Sequence, residues 1–341
     1  MIILWIKLIA MNKVILLDKR PEGVPVLNDF KFIEEEMPVA GEGQVLLKTR
    51  FVSVDPYLRG RMKDVKSYVP PFELGKPMQS GVVSEVISSK NKDFKEGDFV
   101  VGYVDWKEYQ TSSGKGLTKI DADAADLSAY LGIIGMTGLT AYLGLKNIGK
   151  PKAGETIVVS GAAGAVGNVV GQIGKILGCH VVGLAGTDEK ISTLKSKFGY
   201  DAGINYKSTD NLEAAVKAAC PDGVDIYFDN VGGPVSDAVL ANLKYKSRII
   251  VCGAISLYND TEPALAPRVE WRLVVNSATM TGFIVGDYAD QFPEGMKQLT
   301  EWYREGKLNN SETIVEGFDQ IPEAFIGLFQ GKNEGKMVVK I

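Results

Sequence analysis

A glycine-rich turn between an apolar run and an amphipathic segment is the feature that most constrains the fold of this chain. The run 156–161 is predicted as a strand, and Gly161-Ala-Ala-Gly164-Ala-Val-Gly167 as the turn after it. Valines and isoleucines at helical spacing predict a helix over 165–178. Such a turn lets a dinucleotide pyrophosphate approach the backbone at the positive end of a helix. The alternative is a turn that serves only the packing of helix on strand.

Predicted strands and helices continue to alternate after this turn. The alternation favours an α/β domain with a parallel sheet and right-handed crossovers. The segment 279–285 is predicted as a sixth strand, and 292–305 as a helix. The elements predicted between the turn and that strand are, in order, strand 180–186, helix 188–198, strand 202–206, helix 209–219, strand and turn 224–233, helix 234–244 and strand 248–256.

The chain before the turn is β-rich. Short apolar runs at 45–54, 81–89 and 98–104 lie between clusters of Gly, Pro and Asp, which is typical of an antiparallel sheet or barrel. A helix is predicted over 133–150. The run 336–341 alternates like an edge strand, and it would make the β-rich domain discontinuous by rejoining it.

The length of 341 residues corresponds to about two domains. Residues 1–10, MIILWIKLIA, are apolar except for Lys7. This run is shorter than the ~20 residues that span a bilayer, so we expect no stable membrane insertion. We interpret residues 1–10 as an upstream extension and Met11 as the start of the first domain. An amphitropic tether is the alternative.

Charge and cysteine content exclude several functional classes. The net charge is -4, without the basic footprint of a nucleic-acid binder. The cysteines are Cys179, Cys220 and Cys252, and the single histidine is His180. We therefore expect no disulfide framework and a reducing, cytoplasmic location. Because no cysteine or histidine precedes residue 179, the β-rich domain cannot form a Cys/His zinc site, and we expect no metal.

The segment after the second predicted strand bears on the choice of dinucleotide. An NAD-dependent protein often has an acidic residue there, ~20 residues after the glycine turn. This chain has Ala185-Gly186-Thr187, which leaves room for a 2′-phosphate, and Lys190 could supply the counter-charge. Asp188 and Glu189 argue against this choice, although acids at a helix start are ordinary. The local chemistry favours NADP(H).

A hydride site without a metal ligand set favours one reaction class. Reduction of an isolated ketone needs charge stabilisation at the developing alkoxide. Reduction of a C=C bond conjugated to a carbonyl spreads the charge into an enolate, which tyrosine or ribose hydroxyls can stabilise.

Several segments together resemble one family, the zinc-independent medium-chain reductases typified by leukotriene B4 12-hydroxydehydrogenase/prostaglandin 13-reductase. Alkenal double-bond reductases and curcumin reductase-like enzymes are grouped with it. The resemblance extends from about Lys13 to Ile341. The segments that carry it include Ser53-Val-Asp55-Pro-Tyr57-Leu-Arg59-Gly-Arg61-Met, GAAGAVGNVVGQIGK, Phe228-Asp-Asn230-Val-Gly-Gly, Cys252-Gly-Ala-Ile-Ser-Leu-Tyr258-Asn259 and Gly331-Lys-Asn333-x-Gly335-Lys336.

The resemblance implies a fold class and domain boundaries. It implies an α/β protein with a doubly wound parallel Rossmann sheet plus a split GroES-like β-rich domain. The GroES-like domain would comprise 11–131 and 312–341, and the NADP-binding domain 132–311. The resemblance also implies a homodimer.

The resemblance further implies NADPH-dependent reduction of the C=C bond of α,β-unsaturated aldehydes or ketones, with a small enone or enal as substrate. An NADPH-dependent quinone reductase and a non-catalytic NADPH-binding protein are the alternatives. The cofactor-binding residues implied are Gly164, Ala165, Val166, Gly167, Lys190, Tyr206, Asn230, Cys252, Gly253, Ala254, Ile255, Ser256, Tyr258, Phe283, Ile284, Val285 and Asn333.

Three tyrosines are the catalytic candidates. Tyr258 is expected to act as the acid or to stabilise the enolate, and a packing tyrosine beside the cofactor is the alternative. Tyr57 and Tyr68 are candidates for the substrate cleft. The segment around Tyr57 could instead be structural, with Asp55 and Arg59 in a buried charge network. Trp271 is expected in a substrate or dimer loop.

Overall fold

The computed structural model describes residues 11–341, so the predicted extension at residues 1–10 lies outside the described residues. The first part of the described chain is β-rich, as predicted. A two-stranded antiparallel pair, β1 with β2, precedes the strands of a larger sheet. The elements are β1 (Met11–Leu17), β2 (Phe30–Glu36), β3 (Val45–Ser53), α1 (Leu58–Arg61), β4 (Gln79–Ser89), β5 (Phe99–Asp105), β6 (Tyr109–Ser112) and β7 (Thr118–Ile120).

The middle of the chain forms the predicted parallel sheet. Its strand order is β10-β9-β8-β11-β12-β13, and every pairing is parallel. This is the doubly wound order: β9 and β10 are added on one side of β8, and β11, β12 and β13 are then added on the other side. The elements are α2 (Met136–Gly144), β8 (Thr156–Ser160), α3 (Gly167–Ile176), β9 (His180–Ala185), α4 (Asp188–Ser196), β10 (Ala202–Asn205), α5 (Leu212–Ala219), β11 (Val224–Asp229), α6 (Gly233–Leu240), β12 (Leu243–Val251), α7 (Glu270–Asn276), β13 (Thr279–Gly282) and α8 (Phe292–Arg304).

The predicted sixth strand is confirmed as β13. One helix was predicted too long, because α6 ends at Leu240 and β12 already begins at Leu243. The helix predicted over 133–150 is α2, continued by one π-type turn, Leu145–Gly149. That turn stops before Pro151, whose ring prevents the preceding residue from continuing a helix.

Helices cover the parallel sheet on both faces. Ile157 and Val159 of β8 pack into one apolar cluster, whereas Val158 between them packs into the other. Alternate residues of a strand face opposite sides, so a strand that is apolar throughout requires a cover on each side. The stripe of α3 that includes Val169 and Ile173 supplies part of this cover.

The carboxyl-terminal chain returns to the β-rich domain through β14 (Glu312–Glu316), α9 (Ile321–Phe329) and β15 (Lys336–Lys340). β15 lies between β3, to which it is antiparallel, and β14, to which it is parallel. The prediction that 336–341 rejoins this sheet is therefore confirmed, but the prediction of an edge strand is wrong. β14 occupies the edge, and four consecutive residues of β15 are buried. Helix α9 was not predicted.

Within residues 11–341, no helix combines the length and apolar character that a membrane crossing requires.

A buried ion pair connects β15 to the segment after β3. Lys336 Nζ lies 3.0 Å from Asp55 Oδ1 and also donates to the carbonyls of Val54 and Met337. The Lys336 side chain is only 3% exposed. The ammonium group thus has three acceptors, which offset the cost of removing it from water.

We expect Asp55→Asn to destabilise the protein markedly, because it leaves the buried ammonium without a counter-charge. Removal of one partner from a buried pair costs about 3–5 kcal/mol. The measurement is the free energy of unfolding by urea titration. Glu316→Gln is the control. Glu316 of β14 lies 3.9 Å from Lys340 of β15, and both side chains are exposed. Surface pairs of this kind contribute about 0–1 kcal/mol. Equal losses in the two variants would contradict this account.

Candidate active site

The candidate site lies where β8 and β11, which are neighbours at the middle of the parallel sheet, reach their carboxyl ends. The loops after these strands leave toward opposite sides of the sheet and open a crevice between them, which is the usual ligand position in doubly wound sheets. The glycine turn 161–167 follows β8, and Asn230 follows β11.

A buried carboxylate joins the ends of these two strands. Asp229 Oδ1 accepts hydrogen bonds from Ser160 Oγ, 2.9 Å away on β8, and from the N–H groups of Val231 and Gly232. Asn230 Nδ2 donates to the carbonyl of Ser160 at 2.8 Å. The loop after β11 is therefore fixed to β8 as well as to its own strand. Sequence reasoning missed Asp229 and Ser160 as organising residues; an acid at the end of a buried strand was the available signal.

The glycine turn has the shape of a cradle. Gly161 has φ +58°, and a Cβ on Gly167 would lie 2.3 Å from the Gly161 carbonyl oxygen, so neither position accepts a larger residue without strain. α3 begins directly after this turn, and no side chain caps its first N–H groups at Val166. Uncapped N–H groups and the helix dipole favour an anion. These residues fit a dinucleotide pyrophosphate.

The loop before β15 closes one side of this cradle. Gly335 N donates to the carbonyl of Ala163 at 2.7 Å, and a parallel bridge joins Gly335 to Gly164. Asn333, two residues earlier, donates to the carbonyl of Gly335. The sequence-predicted Asn333 therefore lies beside the glycine turn, brought there by a loop from the other end of the chain.

Lys190 lies in the first turn of α4, just after β9, where the sequence predicts the contact to a 2′-phosphate. Its Nζ donates to the carbonyl of Gly331 at 2.7 Å. Burial lowers the pKa of Lys190, nearby Glu334 raises it, and the like charge of Lys207 lowers it again. The protein thus concentrates positive charge at this end of the crevice, and an added anion would relieve the repulsion.

Tyr206 and Lys207 pack closely over Gly186, in the segment that precedes Lys190. A Cβ on Gly186 would lie 2.9 Å from the Tyr206 hydroxyl and 3.1 Å from Lys207 Cε. Asp188, which argued against NADP(H), is engaged by Asn205 Nδ2 at 2.8 Å. Sequence reasoning missed Lys207, which directly follows Tyr206.

The segment after β12 carries Tyr258. Its start is held to β11, because the N–H groups of Cys252 and Gly253 both donate to the carbonyl of Asp229. Further along, Ser256 N and Ser256 Oγ donate to the carbonyl of Val231. The backbone folds into a short 3-10 turn over Ile255–Leu257. This turn brings Tyr258 back over the start of its own segment.

The Tyr258 hydroxyl is oriented by the backbone. Its oxygen accepts the Ala254 N–H at 3.2 Å, which leaves the hydroxyl proton available. A Cβ on Gly253 would lie 3.0 Å from this oxygen, so the close approach requires glycine. Burial raises the pKa of Tyr258, and the Ala254 bond offsets part of that rise. Tyr258 is accordingly a neutral donor at ordinary pH.

The structure brings the three candidate tyrosines together. Burial raises the pKa of Tyr68, and the neighbouring Tyr258, Tyr103 and Cys252 raise it further. Burial also raises the pKa of Tyr57, and the nearby Asp55, Tyr103 and Tyr68 raise it further. The tyrosine cluster, defined as Tyr57, Tyr68, Tyr103 and Tyr258, therefore lies where the β-rich domain meets the segment after β12, the position predicted for the substrate cleft. Tyr103 was not predicted.

Arg61 was not predicted either. Its guanidinium lies 3.9 Å from the centroid of the Phe72 ring, and Nη1 donates to the Tyr103 hydroxyl at 2.5 Å. The Tyr103 hydroxyl donates in turn to the carbonyl of Gln79. Arg61 follows Tyr57 by four residues, so one turn of α1 directs both side chains to the cleft.

The segment 283–285 follows β13 at the same edge of the sheet. The Phe283 ring packs edge-on against Phe228 with centroids 6.4 Å apart, and it also contacts the inner face of α2 at Gly144. The ring therefore points into the core. The exposed Ile284 and the backbone are the parts of this segment left for a ligand.

The alternative in which Asp55 and Arg59 share a charge network is wrong, since each has another partner. Asp55 pairs with Lys336. Arg59 Nε donates to Asn259 Oδ1 at 3.0 Å, and Arg59 Nη2 donates to the carbonyls of Pro21 and Gly23.

Comparison with known proteins places this architecture. Two domain families match the chain, an oxidoreductase N-terminal domain over 13–120 and a zinc-binding dehydrogenase domain over 165–301. The NADPH-dependent curcumin reductase of Escherichia coli is 44% identical over 335 residues, with 97% of each chain covered. The NADP(+)-dependent 2-alkenal reductase of Nicotiana tabacum is 42% identical over 336 residues, again with 97% of each covered. CurA of Vibrio vulnificus, solved in complex with NADPH, superposes with a TM-score of 0.92 at 40% identity, covering 96% of this chain and 98% of that one.

The chain belongs to the zinc-independent alkenal reductase family of medium-chain oxidoreductases.

One matched domain of this reductase is described as zinc-binding. Among residues 11–341, no group of three or more His, Cys, Asp or Glu side chains is arranged to hold a metal ion. His180 instead contacts the carbonyl of Ala219 and lies 3.6 Å from Asp201. The single histidine thus contacts other residues of the parallel-sheet domain, at the surface of that domain.

We expect Lys190→Ala to weaken the binding of NADPH far more than that of NADH. The variant would lose a charge-assisted contact to the 2′-phosphate, worth about 1.5–3 kcal/mol. Dissociation constants for both dinucleotides, measured by calorimetry, check this expectation. Lys195→Ala, an exposed lysine on the same helix, is the matched control and should bind both as the parent does. Equal weakening of NADPH and NADH in Lys190→Ala would refute the role.

Proposed function

We propose that this reductase uses NADPH to reduce the C=C bond of α,β-unsaturated aldehydes and ketones. The observation that carries the proposal is the Tyr258 hydroxyl, whose oxygen is held by a backbone N–H beside the dinucleotide cradle while its proton stays free. The names of the relatives support both the cofactor and the substrate class. The domain boundaries after residues 131 and 311 remain predictions.

The cradle residues would hold the cofactor as follows. Gly164–Gly167 and the start of α3 would bind the pyrophosphate, and Lys190 with Tyr206 the 2′-phosphate. Asn230, the segment 252–258 and residues 283–285 would follow the ribose and nicotinamide along the carboxyl ends of β11, β12 and β13. Asn333 would close over it from the β-rich domain.

Bound NADPH supplies a hydride, which adds to the β-carbon of the substrate. Tyr258 donates a hydrogen bond to the carbonyl oxygen, on which negative charge accumulates as the enolate forms. The α-carbon then takes a proton from Tyr258 or from water, which completes the addition of two hydrogens. Because burial raises the pKa of Tyr258, the hydroxyl remains protonated at neutral pH and can act as a donor.

The cleft suits a small substrate with an apolar body. Tyr68 is 57% exposed and offers its ring to the cleft. Tyr57 and Tyr103 belong to the same cluster, and Arg61 donates to the Tyr103 hydroxyl. A conjugated aldehyde or ketone would place its oxygen at a tyrosine hydroxyl and its carbon chain along these rings.

We expect incubation with NADPH and 3-nonen-2-one to yield the saturated ketone, nonan-2-one. The hydride adds at the β-carbon and leaves the carbonyl intact, so product analysis by gas chromatography should show no allylic alcohol. Tyr258→Phe should form the same product more slowly.

The alternatives give different results in the same assay. An allylic alcohol would contradict the proposal. Turnover of quinones without turnover of enones would identify a quinone reductase, and tight NADPH binding without any turnover would identify a non-catalytic binding protein.

A homodimer is the proposed assembly. Within residues 11–341, β13 pairs only with β12, and all four of its residues are exposed. On the adjacent α7, Trp271 and Val274 are 72% and 71% exposed. Two copies of β13 related by a two-fold axis would continue the sheet across both chains and cover these apolar side chains. Trp271 would then belong to the dimer contact.

We expect the protein to sediment at twice its chain mass of 36.9 kDa. Trp271→Glu should shift the equilibrium toward the monomer, because it places a charge in an apolar contact. Analytical ultracentrifugation checks both expectations. A parent protein that sediments as a monomer would refute the assembly.

The cytoplasm is the proposed location. Cys179, Cys220 and Cys252 are all free thiols in the structure, and the first two are buried. Unpaired thiols are typical of proteins from reducing compartments.

A further inference from the structure

Arg59 is a buried guanidinium without a carboxylate partner. The residue is 1% exposed, and its bonds go to the Asn259 side chain and to the carbonyls of Pro21 and Gly23. Nη1 has no partner at all. Burial lowers the pKa of Arg59, and the charge of Asp29 opposes this effect. An arrangement that leaves a buried N–H unpaired is a poor solution for stability alone.

The bond from Arg59 to Asn259 crosses between the two domains. Arg59 lies on α1, two residues after Tyr57, and Asn259 directly follows Tyr258. A second, longer contact runs in parallel, from Lys63 Nζ to the carbonyl of Asp260 at 3.5 Å. Tyr57 and Arg61 thus belong to the tyrosine cluster or contact it. Arg59 and Lys63, which alternate with them, contact Asn259 and Asp260.

The segment 252–260, which carries Tyr258, is consequently held by hydrogen bonds at both ends. Its start is bonded to the carbonyl of Asp229 on the parallel sheet, and its end is bonded to Arg59 on the β-rich domain. Beyond Asp260 the chain runs exposed through 261–268. Without the contact to Arg59, the longer bond from Lys63 to Asp260 would be the remaining hydrogen bond, within residues 11–341, between the end of this segment and the β-rich domain.

We infer that Arg59 is a positioning residue that aligns Tyr258 for proton donation through the side chain of Asn259. This inference rests on the proposed function, and it adds that the donor is aligned by the β-rich domain as well as by the cofactor-binding domain that carries it. Docking of the two domains therefore completes the site.

A double-mutant cycle tests the inference. Turnover of 3-nonen-2-one at saturating NADPH is measured for the parent, Asn259→Ala, Tyr258→Phe and the double variant. Because small displacements of a catalytic group reduce turnover by one to two orders of magnitude, Asn259→Ala should lower kcat about ten-fold. In the double variant, kcat should match that of Tyr258→Phe alone, since a misplaced phenylalanine has no proton to lose.

Two further variants separate positioning from folding. Asn259→Asp keeps an oxygen acceptor for Arg59 Nε–H and should restore most of the turnover. Asn242→Ala removes an amide that contacts only the carbonyls of Glu213 and Ala238, remote from the cleft, and should leave kcat unchanged. The KM for NADPH should stay constant in the two single Asn259 variants, because Asn259 does not touch the glycine turn.

Three results would overturn the inference: unchanged kcat in Asn259→Ala, losses that multiply in the double variant, or no rescue by Asn259→Asp. Full turnover in Tyr258→Phe would remove both the donor role and its positioning. The reaction itself is judged separately, by the product that the parent protein forms.

Discussion

The site depends on one buried carboxylate. Asp229 holds the ends of β8 and β11 together by accepting a hydrogen bond from Ser160. It also accepts hydrogen bonds from the N–H groups of Val231 and Gly232 in the loop after β11. Its backbone carbonyl accepts hydrogen bonds from the N–H groups of Cys252 and Gly253, which directly follow β12. Three consecutive carboxyl ends of the sheet are thereby fixed relative to one another. These bonds are made without a ligand, so the walls of the crevice are held in place in the way that preorganised hydrogen-bond donors require.

The alternation of strands and helices was predictable because its physical causes are local. Apolar periodicity and the glycine turn depend on residues close in sequence, and these predicted β8, α3 and the strands that follow. The edge assignment of β15 failed for the opposite reason. Whether a strand is covered depends on β14, which no pattern within 336–341 reveals, and the short apolar α9 between them went unnoticed.

The contacts that build the cleft could not be predicted in the same way. Lys336 and Asp55 are 281 residues apart, and Arg59 and Asn259 are 200 apart. Charge and side-chain length alone made Asp55 and Arg59 look like partners, because both lie in one segment. The tyrosine cluster was found in part, through the family resemblance, but Tyr103 and Arg61 join it only when β5 is placed beside β4.

Cys252 acquires a particular meaning in a cleft proposed to receive conjugated aldehydes and ketones. Such compounds are soft electrophiles that alkylate thiolates. Burial, together with the nearby Asp229, raises the pKa of this thiol to about 12. The reactive thiolate is therefore strongly disfavoured at pH 7. The same desolvation that keeps Tyr258 protonated for its proposed task would thus protect the reductase from covalent inactivation by its own substrates.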